Sequence, residues 1–139
     1  MGRRLTAVVG LATVTISCVL AAGVEARPVH HAALQPQTLM RYRTTRAMEI
    51  LGFVCRDLRQ GQVTISRYET ETIDGILRSA AHVPGHGLKR LRAELNEAIA
   101  LNRQAQEKIA AKDADGALDI ERIAISKVGH VLDVLRREK

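Results

Sequence analysis

The chain holds 5 histidines, and neutral imidazole is the commonest protein ligand for zinc, copper and nickel. His30 and His31 are adjacent. His82 and His86 stand four apart across Pro84 and Gly85, a turn that could bend both rings toward one ion. Their types and spacing make His82, His86, His30 and His31 the candidate ligands of a transition metal. An amino-terminal copper motif does not form. After a cut at Ala26 the third residue would be Val29, and the second would be Pro28, which has no amide hydrogen.

Carboxylates are the second set. Glu69 and Glu121 fall on apolar faces of their segments, and Asn102 lies within an apolar stripe. A buried carboxylate needs a partner. Di-iron bundles supply one with paired Glu-x-x-His units, but here the third residue after Glu69 is Thr72 and after Glu121 is Ala124. Glu69, Asn102 and Glu121 therefore read as a polar core layer that fixes helix register, with Cys55 and Gln106 nearby. No histidine stands at helical spacing from Cys55, so a cysteine nucleophile lacks a base and the thiol reads as core filler. No Gly-Lys-Ser phosphate loop and no serine in a nucleophile-elbow context occur. The residues point to a non-enzymatic protein.

The elements that must position these groups are helices. Aromatics are scarce, with 2 tyrosines, 1 phenylalanine and no tryptophan, and Ala, Leu, Arg, Glu and Gln dominate. Pro36, Gly61, the stretch Val83–Gly87 and the stretch Lys112–Gly116 are breaks. Between them the spacing predicts helices over 37–60, 63–82, 87–112 and 115–137. Apolar residues recur at three- and four-residue steps. The first stripe is Met40, Thr44, Ala47, Leu51, Val54 and Leu58; the third is Leu88, Leu91, Leu95, Ala98, Asn102, Ala105 and Ile109. The fourth is Leu118, Ile125, Val128, Leu132 and Leu135. The second is weaker: Ile65, Thr72, Ile76 and Ala80 are its predicted inward face, with Tyr68, Ile73 and Leu77 nearby. Matched lengths and short connections predict an all-α, up-down-up-down antiparallel four-helix bundle. That topology gathers the histidines at one end.

A small exported four-helix bundle with histidine at one end resembles the b-type cytochromes of the periplasm in architecture and composition. The resemblance implies haem held by Met40 or Met48 and by His130. Against it, His130 heads away from the stripe of its own helix, whereas an axial ligand must point inward. A c-type haem is excluded, since no Cys-x-x-Cys-His occurs.

The first 26 residues read as a signal peptide: Arg3 and Arg4, an apolar run from Leu5 to Val24, and Val24-Glu25-Ala26 ahead of a cut after Ala26. Two rivals are an uncleaved anchor over Leu5–Val24 and a lipoprotein cut before Cys18. Removing 26 of 139 residues leaves 113, with residues 27–36 a flexible lead-in and 37–139 one bundle domain. Removing Arg3, Arg4 and Glu25 lowers the net charge from +6 to +5. Export to the periplasm or the medium argues against nucleic acid as the partner of this basic chain. Anionic lipid, wall polymers or an acidic protein face suit it better. Contact with the membrane itself would come only through an uncleaved leader. Tyr42 and Phe53 point away from the first stripe, and Ile123 and Val134 widen the fourth. These four residues are the expected contact surface, for another macromolecule or for a second copy of the chain.

Overall fold

The computed structural model describes residues 33–138. Residues 1–26, read above as a signal peptide, together with His30, His31 and most of the expected lead-in, lie outside the described residues. Four helices follow in order: α1 (Pro36–Arg59), α2 (Val63–Ala81), α3 (Lys89–Ala110) and α4 (Ala114–Arg137). The described residues contain no strand. α1 packs on α2 and α4, and α3 packs on the same two helices. The protein is thus an all-helical bundle, as expected. None of the described helices is long and apolar enough to cross a membrane.

The ends follow local chemistry. α1 opens on Pro36 at its first helical position, where a missing N–H costs nothing. Gly87 has φ 82°, a left-handed turn that delays α3 to Lys89, two residues later than expected. α3 stops at Ala110 because Lys112 takes φ 61°, an unusual conformation for a residue with a side chain. α4 has a true N-cap: Gly116 N donates to Asp113 Oδ1 at 2.9 Å. A Cβ at Gly116 would collide with that carboxylate, so the close approach requires glycine there.

Three inward faces match the sequence pattern. Every residue named for the first and third stripes is buried, as are Leu118, Val128, Leu132 and Leu135 of the fourth. Each large aliphatic side chain removed from water stabilises the fold by about 1.5–3 kcal/mol. Val83 and Leu88, in and beside the α2–α3 connection, are also buried and close one end of the core.

The face of α2 is a correction. Ile65 and Thr72 are exposed and Ile76 is only partly buried; the interior is Ser66, Thr70, Ile73, Leu77, Ala80 and Ala81. Polar residues can occupy those inner positions because their hydroxyls bond within their own helix. Ser66 Oγ donates to the Gln62 carbonyl at 2.9 Å, and Thr70 Oγ1 to the Arg67 carbonyl at 2.8 Å.

Candidate functional site

The inward turn of Thr70 builds a polar constellation in the bundle interior. Asn102 Nδ2, from α3, donates to the Thr70 carbonyl at 2.9 Å, and Gln106 Nε2 donates to the same oxygen at 3.0 Å. Two side chains one helical turn apart thus clasp one backbone group of α2. Asn102 is fully buried, and its Oδ1 has no hydrogen-bond partner.

The second buried polar group is Glu121 of α4. It is fully buried, and neither carboxylate oxygen has a partner. On the facing surfaces of α3 and α4, Glu94 pairs with His130 at 2.5 Å and Glu97 with Lys127 at 2.6 Å. Continuing that register places Asn102 at the level of Glu121 and Arg122. Burial alone pushes the Glu121 pKa up to about 7, so the carboxyl is largely neutral below that pH. Cys55, buried on α1, is close enough to feel the Glu121 charge. Burial first, and then Glu121, raise its thiol above the ordinary range. That thiol is a poor nucleophile at neutral pH.

Glu69 stands elsewhere. With Thr70 turned inward, Glu69 lies half-buried at the α1–α2 margin beside Asp57, which is almost fully buried. Arg56 Nε donates to Asp57 Oδ1 at 2.9 Å. Burial, the Asp57 charge and a carboxyl–carboxylate hydrogen bond to Asp57 all raise the Glu69 pKa, against the opposing charge of Arg56. Asp57 is a site residue that pattern reading passes over. Its position beside Arg56 looks like solvated surface charge.

The histidines are dispersed in their bonding. His82 and His86 are exposed, and His82 Nδ1 donates to the Arg78 carbonyl at 2.7 Å. His130 is exposed and held by Glu94. Among the described residues no group of three or more His, Cys, Asp or Glu side chains is placed to hold a metal ion.

On the surface, Tyr42 is 71% exposed, Phe53 46% and Ile123 51%. Val134 is different: it is partly buried against the core, because it lies on the flank of α4 rather than its outer face. Tyr68 at 74% and Ile65 at 50% join the exposed set instead, another result of the rotation of α2. Tyr42 shares a shallow groove with Thr38, Arg41, Thr45 and Arg136, with no acidic residue among them. The Arg56 guanidinium lies 5.1 Å from the Phe53 ring centroid. α1 carries 5 arginines against 2 acidic residues, whereas residues 60–138 hold equal numbers of basic and acidic side chains, 12 of each.

Comparison with family models, with curated proteins and with solved structures gave no match.

Proposed function

We propose that this chain is a small exported, non-enzymatic helical-bundle protein that acts by binding another macromolecule, or a second copy of itself, through the outer face of α1. The observation that carries the reading is Tyr42: a largely exposed aromatic in a groove with Arg41 and Arg136, on the most positively charged of the four helices. Tyrosine and arginine supply large contact area and charge-assisted hydrogen bonds, and both are enriched at binding surfaces. The charge favours a partner with an acidic or otherwise anionic face.

The topology belongs to the same proposal. In an up-down-up-down bundle, numbers must rise on one helix as they fall on its neighbour. The pairs Glu94–His130 and Glu97–Lys127 support this for α3 and α4. Arg43 reaching Ser79, with Asp57 beside Glu69, supports it for α1 and α2. Export rests on the leader pattern of residues 1–26. The interior supports a non-enzymatic role, since the Cys55 thiol is buried and its pKa is raised rather than lowered.

The test is cross-linking in the native compartment with wild type and Tyr42→Ala, followed by sedimentation of each purified form. A cross-linked partner or dimer that is lost in Tyr42→Ala, at unchanged helicity, is expected. Equal cross-linking by both forms would remove α1 as the contact.

A further inference from the structure

We propose that a proton on Glu121 latches α4 to α3: the neutral carboxyl donates to Asn102 Oδ1, and loss of that proton drives the carboxylate outward and loosens α4. The argument begins with three acceptor atoms that have no donor. They are both oxygens of Glu121 and Oδ1 of Asn102, on fully buried residues brought to one level by the pairing of α3 and α4. One N–H of Asn102 is spent on the Thr70 carbonyl at 2.9 Å, and turning the amide over to aim its nitrogen at Glu121 would release that bond. In that orientation its oxygen is left without a donor. One proton on Glu121 resolves the conflict, because a neutral carboxyl donates one hydrogen bond and an ionised one donates none.

The ionised group has somewhere to go. α4 packs on α1 and α3. From α1, Cys55 and Arg59 face the site; on α4 itself Arg122 adjoins it. Both arginines act on the Cys55 thiol, so their charges lie around the same position. Both are exposed, and Arg122 is engaged only with Asp119 at 3.3 Å. From α3, Asn102 faces inward while Arg103 is turned to Asp74 of α2 at 3.3 Å. Two arrangements follow: carboxyl inside on Asn102, or carboxylate at the rim among Arg59 and Arg122. A group that is neutral inside and charged outside biases such a pair by pH. Burial sets the direction, because the inner form holds its proton to about pH 7 while an exposed glutamate releases it near 4.5.

Cys55 is a built-in reporter: it is buried on α1, against which α4 packs, and close enough to Glu121 to feel its charge, so loosening of α4 should expose it. The full chain is labelled with iodoacetamide from pH 4 to 9, and modification of the peptide carrying Cys55 is read by mass spectrometry. Each rate is divided by that of the urea-unfolded chain at the same pH, which removes the thiolate fraction. The corrected rate should rise about tenfold per pH unit between roughly pH 5 and 7 and level off above. Glu121→Gln, which stays neutral, should show no rise. A flat wild-type profile, or an unchanged rise in Glu121→Gln, overturns the latch. Should Glu121→Gln fail to fold, infrared spectra in a Glu69→Gln background decide the matter. A protonated-carboxyl band present at pH 6 and gone at pH 8 supports the latch, and its absence at pH 6 overturns it.

Discussion

Glutamine at position 121 gives a quantitative test of how far burial controls this fold. In the unfolded chain Glu121 ionises near 4.5, and in the folded bundle at about 7. Between those values the folded state binds the extra proton, so stability falls as pH rises. The contribution is fully present below pH 4.5 and lost by about pH 7. A shift of about 2.5 units at about 1.4 kcal/mol each amounts to about 3 kcal/mol. Glu121→Gln removes the titration; its amide donates to Asn102 Oδ1 as the neutral carboxyl does but leaves a second N–H and an oxygen without partners, a constant cost of about 1–3 kcal/mol. The variant should therefore be no more stable than wild type at pH 4.5 and should gain on it by about 3 kcal/mol by pH 8. Glu69 is also raised and also loses stability with rising pH, while Asp113, lowered chiefly by its bond from Gly116, works in the opposite sense. Both titrate in either protein and cancel in the difference. Urea melts followed by circular dichroism at half-unit pH steps supply the curves. Parallel curves for the two proteins would refute the argument, since they would mean that Glu121 is hydrated or partnered in solution.

Two further outcomes follow from packing and from the leader. Leu95→Ala should destabilise by about 2–5 kcal/mol in the same urea melts, because it opens a cavity in the fully buried face of α3, whereas Lys108→Ala, on a half-exposed side chain, should cost less than about 1 kcal/mol. Mass spectrometry of the exported protein should find an amino terminus at Arg27; a terminus at Met1 or Cys18 would sink the leader reading.

How legible the fold was depended on whether inward positions were apolar. In α1, α3 and α4 leucine, valine, alanine and methionine mark the core directly, and the helix limits fell within two residues. In α2 the interior includes Ser66 and Thr70, while Ile65 and Tyr68 lie outside, so hydropathy rotated the face: Ala80 is buried as expected, but Ile73 and Leu77, expected beside the stripe, form its centre. Hydroxyls that bond to their own helix can be buried at little cost, and a pattern of polar and apolar letters does not register that. The same blindness hid Thr70 from the polar interior. Asn102 and Glu121 were visible because each interrupts an otherwise apolar stripe. Asp57 was not, since its burial depends on how α2 lies against α1, a tertiary fact with no local signal.

The uneven charge also acts before any contact is made. α1 carries 5 basic against 2 acidic side chains and α3 carries 5 against 3, whereas α2 has 2 against 3 and α4 is balanced, so the positive charge lies on one diagonal of the bundle. Near an anionic surface the bundle experiences a torque that turns α1 or α3, and not α2 or α4, forward during diffusion. At physiological salt that torque operates only within roughly 8 Å, about the thickness of one helix. Within that range the encounter is already oriented, and fewer collisions are wasted on α2 and α4.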